Sequence, residues 1–174
     1  MNPNGSVLII DDEQDIIDTY REILAEEGFT SEFARTREEA EAAIKKPGWA
    51  AVLLDQRLRG RADTNSGLDL LKVIRRDAPY AKVVVVTGYA DHDSVKRAFA
   101  EGAWDYLQKG PVVDPLLRVK ARNAMEIWRE RVIAAQTRMA HRGSSAVAVL
   151  HRQHATGQLQ MQGQRKRRQA GRLR

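Results

Sequence analysis

Four consecutive apolar residues, Ala51-Val52-Leu53-Leu54, run straight into a carboxylate, Asp55. An uninterrupted apolar run of this length between polar loops reads as a strand covered on both faces, the condition of a central strand in a parallel sheet. Asp55 then stands at that strand's carboxyl end, and open α/β sheets bind ligands in the crevice outside those ends. A lone acid at a strand exit is more often a cap or turn residue. Other segments of the chain shift that balance.

Ser6-Val7-Leu8-Ile9-Ile10 is a second apolar strand, and it also ends in acids, Asp11 and Asp12, with Glu13 behind them. From Gln14 to Glu27 the residues Ile16, Ile17, Tyr20, Ile23 and Leu24 recur at helical steps, and Gly28 is a natural stop. Phe29 to Ala34 alternates like an edge strand. Thr36, with Glu39 three residues on, makes a capping box for a second helix, and Pro47-Gly48 breaks the chain before the Asp55 strand. Residues 59–66 form a polar loop; Leu68, Leu70, Leu71 and Ile74 then mark a third helix. Lys82 to Thr87 is rich in β-branched residues that crowd a helix and suit a pleated sheet. A fourth helix from about Asp91 to Ala100 stops at Gly102, Trp104 to Gln108 is a fifth strand ending at Lys109, and a last helix runs from Pro115 to about Arg142. Strand and helix alternate five times, so the fold class is α/β: a doubly wound five-stranded parallel sheet with helices on both faces.

Composition excludes several classes. The chain has no cysteine, hence no disulfide framework and no Cys-based metal site. No apolar run approaches a membrane span and no basic region precedes the first apolar stretch, so the expected compartment is the cytoplasm, with no membrane partner. Residues 1–130 carry 19 Lys/Arg against 23 Asp/Glu, whereas residues 131–174 carry 10 Lys/Arg and no acid. The basic charge belongs to the tail. Beyond about residue 143 the chain has no apolar periodicity and six Gln between 153 and 169, so it is expected to be mostly disordered. Such a tail would bind nucleic acid weakly and without sequence preference, if at all.

The strand ends gather Asp11 and Asp12, Asp55, Thr87 and Lys109 at one edge of the sheet. Three converging carboxylates repel unless a cation joins them, and an all-oxygen donor set without Cys or His selects a hard ion, foremost Mg²⁺. A carboxylate nucleophile beside such an ion, an ammonium and a hydroxyl donor is what phosphoryl transfer needs.

The pieces LIIDDE, VLLDQRL, VVVVTGYA and DYLQKG resemble the response-regulator receiver domain of two-component signalling, over about residues 6 to 125. The resemblance implies a flavodoxin-like sheet of order 2-1-3-4-5 flanked by five helices. It implies that Asp55 accepts the phosphoryl group from a sensor histidine kinase or phosphotransfer protein. Asp11, Asp12 and Asp55, with the backbone carbonyl of Arg57, would hold Mg²⁺. Thr87 would be the switch hydroxyl, Lys109 the lysine that pairs with the phosphoryl group, and Tyr106 the switch aromatic. On this reading residues 5–125 are the receiver domain, 126–142 a helical extension suited to forming a homodimer, and 143–174 a basic tail. The protein would act as a binding switch rather than an enzyme. One alternative is a Mg²⁺-dependent phosphohydrolase of the haloacid-dehalogenase type, although Asp11-Asp12-Glu13 lacks that family's Asp-x-Asp-x-Thr arrangement; another is a degenerate receiver acting as an interaction module. Two departures from the receiver pattern stand out. Gly67 lies twelve residues after Asp55, where the family glycine comes at about eight, and Lys109 is followed by Gly110 before Pro111. A trans Lys109–Gly110 bond is therefore expected, with glycine's access to positive φ carrying the loop.

Overall fold

The computed structural model describes residues 5–58, 67–88, 91–110 and 113–138. The polar loop 59–66, Pro111, the end of the last helix near Arg142 and the tail 143–174 lie outside the described residues. By its internal contacts the chain divides into two units, Met1–Val132 and Ile133–Arg174.

In the first unit the strands are β1 (Ser6–Ile10), β2 (Ser31–Ala34), β3 (Trp49–Leu54), β4 (Lys82–Thr87) and β5 (Asp105–Gln108). They form one parallel sheet of order β2-β1-β3-β4-β5. Between them lie α1 (Gln14–Glu26), α2 (Arg37–Ile44), α3 (Leu70–Asp77) and α4 (His92–Ala100). Residues 113–132 are helical and are called α5. In the second unit, helical residues 133–138 carry side-chain bonds from Thr137 to the carbonyl of Ile133 and from Arg138 to that of Ala134.

Strand alternation sorts the core into two layers. Val7, Ile9, Leu53, Val84 and Val86 pack with α1 and with Leu117, Ala121, Met125 and Trp128 of α5. Leu8, Ile10, Val52, Leu54, Val83 and Val85 pack with Ala40 and Ile44 of α2, Leu70, Leu71 and Ile74 of α3, and Ala98 of α4. Both faces of each central strand are thus apolar because both are covered, which is why these strands read as continuous apolar runs.

Element ends differ from the sequence reading in small ways with local causes. β2 begins at Ser31, not Phe29, because the Phe29 amide closes α1 by donating to the Leu24 carbonyl at 2.9 Å, around Gly28 at φ 77°. β3 begins two residues earlier than expected, as Trp49 pairs with Ser6 and its indole donates to the Ala43 carbonyl at 3.0 Å. β5 begins at Asp105 rather than Trp104, and α5 starts at 113, with Pro115 tolerated in its first turn. At α2 the Thr36 hydroxyl accepts from the Glu39 amide at 3.2 Å, but Glu39 Oε2 takes the amide of Arg35 at 2.7 Å, one residue before the expected partner. Among the described residues no helix is long and apolar enough to cross a membrane.

Candidate functional site

The sheet ladder continues one residue past the strand ends and so places the site. The Asp11 amide donates to the Ala34 carbonyl at 3.1 Å, the Asp55 amide to Ile10 at 2.8 Å, and the Lys109 amide to Thr87 at 2.7 Å. Each bond fixes a candidate site residue to the neighbouring strand. Carboxylate oxygens of Asp11, Asp12 and Asp55 consequently lie within 4.8 Å of one another. Asp12 and Asp55 border a cavity of about 380 Å³, lined also by Glu13, Arg57, Thr87, Gly88 and Lys109.

Lys109 Nζ reaches Asp11 Oδ2 at 2.7 Å, Glu13 Oε1 at 3.3 Å and Asp55 Oδ1 at 3.4 Å. The trans Lys109–Gly110 bond is as expected, but Gly110 does not take a positive φ. That part of the expectation is corrected: the strand bond to Thr87 aims Lys109, and the left-handed region is not needed. Asp11 Oδ1 accepts the Glu13 amide at 3.0 Å, and Asp55 Oδ2 the Arg57 amide at 3.2 Å. Thr87 is buried at the cavity wall.

Burial pushes Asp55 up to about 7; Lys109 opposes the shift and Asp11 adds to it. Burial also raises Asp11, against the hydrogen bond from Lys109. For Lys109, burial works against the charge, yet the hydrogen bond to Asp11 and the fields of Asp55, Asp11 and Glu13 outweigh it and raise its pKa. The arrangement is a carboxylate-rich pocket with a captive ammonium. Its donor set, three carboxylates close enough to share one ion, fits a small divalent cation that takes oxygen ligands.

Sequence reasoning gave no role to two residues here and left the reason for a third, Gly67, unread. Gln56 is fully buried and accepts the Tyr106 hydroxyl at 2.6 Å, while its amide nitrogen donates to Ser94 Oγ at 2.9 Å. Neither Gln56 nor Ser94 carries a motif signal, since their meeting depends on the strand order. Gly67 stands out in the sequence only by its spacing. Its amide donates to the Gln56 carbonyl at 2.9 Å, and a Cβ at this position would come within 1.9 Å of the Asp55 carbonyl oxygen. Gly67→Ala must therefore push the backbone of the Asp55 turn, with an expected cost of roughly 1–3 kcal/mol or more. Thermal melts check this, and a variant as stable as the parent would show that the approach relaxes freely.

Tyr20, in the core layer behind the cluster, has a buried hydroxyl with no hydrogen-bond partner, and burial pushes its pKa up to about 12. It remains a neutral phenol.

Comparison with known proteins agrees with this geometry. The family model of the response regulator receiver domain matches residues 7–120. The alginate biosynthesis transcriptional regulatory protein AlgB of Pseudomonas aeruginosa is 35% identical over 123 residues, covering 71% of this chain and 26% of that protein. The chain thus spans about a quarter of the length of the curated relatives it matches. Among solved structures, a CheY-like receiver domain protein from Methanospirillum hungatei aligns with TM-score 0.65 and 29% identity, covering 73% of this chain and 98% of its own. A response regulator protein from Burkholderia pseudomallei, solved with a phosphorylated aspartic acid, calcium ion and citrate, aligns with TM-score 0.61 and 26% identity, covering 75% and 74%. The haloacid-dehalogenase alternative gives way to these matches: a parallel sheet of order 2-1-3-4-5 with acids, hydroxyl and lysine at its strand ends belongs to the response-regulator receiver family, and this chain is a member of it.

Proposed function

We propose that the chain is a phosphorylation-switched receiver in which Asp55 takes a phosphoryl group from a sensor histidine kinase or phosphotransfer protein. The observation that carries the reading is Lys109 Nζ held between Asp11 and Asp55 over a cluster of three carboxylates at an open cavity. Asp11, Asp12, Asp55 and the Arg57 carbonyl would hold Mg²⁺. The chemistry a bound Mg²⁺ would supply is positive charge that offsets the negative charge of the three acids and of the incoming phosphoryl oxygens.

The rest falls to the chain's own groups. An Asp55 oxygen attacks phosphorus, the bond to the donor's nitrogen or oxygen breaks, and the leaving group departs with that electron pair. Lys109 pairs with a phosphoryl oxygen, and the Thr87 hydroxyl, on the adjacent strand, donates to another. Tyr106 follows as the switch aromatic. Support for an acyl phosphate also comes from the phosphorylated aspartic acid of the Burkholderia relative.

We assign residues 5–125 to the receiver, 126–142 to an extension that pairs with a second copy, and 143–174 to a basic tail whose contacts with nucleic acid are electrostatic. The compartment is the cytoplasm, where such kinases deliver their phosphoryl group. The test is acetyl phosphate with Mg²⁺. The intact chain should gain one phosphoryl mass, lost on Asp55→Asn and on chelation. An unmodified parent chain, or a label retained by the Asn variant, would refute the reading.

A further inference from the structure

Among the described residues the buried polar or charged side chains are Asp11, Asp55, Gln56, Thr87 and Ser94. Three belong to the site already described, and the remaining two are hydrogen-bonded to each other. A buried amide costs free energy unless its donor and acceptor ends are both met, so an apolar side chain would fill the place of Gln56 with less penalty. Gln56 meets that cost at both ends, with Tyr106 on β5 and Ser94 on α4, residues 50 and 38 positions away. Ser94 in turn donates through its hydroxyl to Asp91 Oδ2, and its amide donates to Asp91 Oδ1 at 2.8 Å, which closes the first turn of α4. One run of hydrogen bonds therefore leads from β5 through the residue next to Asp55 to the amino-terminal cap of α4.

We propose that Gln56 is a positioning residue that couples the state of Asp55 to Tyr106 and to the start of α4. The inference rests on the reading of Asp55 as phosphoryl acceptor. Gln56 is peptide-bonded to Asp55, and the turn that contains it is held by the bond from the Arg57 amide to Asp55 Oδ2 and by the bond from the Gly67 amide to the Gln56 carbonyl. Phosphorylation turns the carboxylate that holds the Arg57 amide into an acyl phosphate whose remaining carbonyl oxygen is uncharged and accepts more weakly, so the turn readjusts. Gln56 cannot move without releasing or dragging the Tyr106 hydroxyl and Ser94, because a buried amide has no water to exchange for them. In this chain the switch aromatic answers to the amide beside the acceptor as well as to Thr87.

The test uses the full chain with beryllium trifluoride and Mg²⁺ as the phosphoryl probe. NMR follows Asp55 loading, the Tyr106 ring and the α4 amides. Gln56→Met keeps the length and apolar bulk of the side chain and removes both hydrogen-bonding ends. It should load with a midpoint within about threefold of the parent, while the loading-dependent shift of the α4 amides falls about fivefold, the lower end of ordinary coupling between sites. Tyr106→Phe should cost a similar share, and the double variant should cost no more than either single one, as members of one chain do. Ser94→Ala, which leaves the core beneath the turn intact, should lose the α4 response and keep the Tyr106 response. A Gln56→Met chain with the parent's α4 shift, additive effects of Gln56→Met and Tyr106→Phe, or an α4 response that survives Ser94→Ala would overturn the inference alone. A parent chain that does not load at Asp55 would overturn the receiver reading and the inference with it.

Discussion

Asp55→Asn is expected to raise the melting temperature of the chelator-treated protein at pH 8 even as it abolishes phosphorylation. Burial holds Asp55 at about 7, against an ordinary value of 3.8. Below 3.8 the folded and unfolded chains both carry the proton, and the carboxyl group's contribution to stability is fully present. Between 3.8 and about 7 the folded chain keeps a proton that the unfolded chain has released, so stability falls as the pH rises; above 7 the loss is complete. Each pH unit across that interval removes ~1.4 kcal/mol, so the full loss is on the order of 4 kcal/mol. An amide does not ionise and escapes it. The Asn variant should therefore melt roughly 8–16 °C above the parent at pH 8, with the gap narrowing towards pH 4. Mg²⁺ should close the gap from the other side, since it stabilises the parent's carboxylate cluster and the amide is a poorer ligand. Scanning calorimetry at pH 5 and pH 8, with chelator and with Mg²⁺, separates these effects. Equal melting temperatures at both pH values would mean that Asp55 is not strained by its burial.

The same burial explains which parts of this protein could be read from its sequence. Val83 to Val86 and Leu8 to Ile10 announce central strands because every side chain on them is covered, and Thr87, Asp11 and Asp55 announce themselves by interrupting those runs. Element ends were less legible, because they depend on local bonds such as those from the Phe29 amide and the Trp49 indole, which have no composition signature. Gln56 illustrates the deeper limit. A glutamine after an acid looks like loop, and nothing in the order of residues says that β3 will carry it beneath Tyr106 and against α4. Gly67 was legible as a glycine at an odd spacing, whereas the reason for it, a backbone resting on the Asp55 carbonyl, exists only in three dimensions. Strand-end chemistry is written one residue at a time; the contacts that support it are written in the topology.

Lys109→Met should produce the largest loss of stability of any single change at the site. The Lys109 side chain is 13% exposed and lies 2.7 Å from Asp11 Oδ2, 3.3 Å from Glu13 Oε1 and 3.4 Å from Asp55 Oδ1. Removing one partner from a buried ion pair leaves the other charge uncompensated, at a cost of roughly 3–5 kcal/mol. Here the ammonium faces two buried carboxylates, so the strain is shared: Asp11 and Asp55 lose the group that lowers them and should both rise further. With both acids raised above their unfolded values, the variant's stability is present at low pH and is lost as the pH climbs through the raised values. Its deficit relative to the parent should therefore be small near pH 4 and large at pH 8, still growing as the pH climbs through the raised values. Mg²⁺ provides the internal control. A divalent cation among the three carboxylates replaces the missing positive charge, so Mg²⁺ should raise the variant's melting temperature by more than it raises the parent's. Thermal melts at the two pH values with and without Mg²⁺ measure all of this. A variant that melts with the parent at pH 8 in chelator would show that Lys109 only shields the cavity mouth, and that the pocket tolerates its acids by some other means.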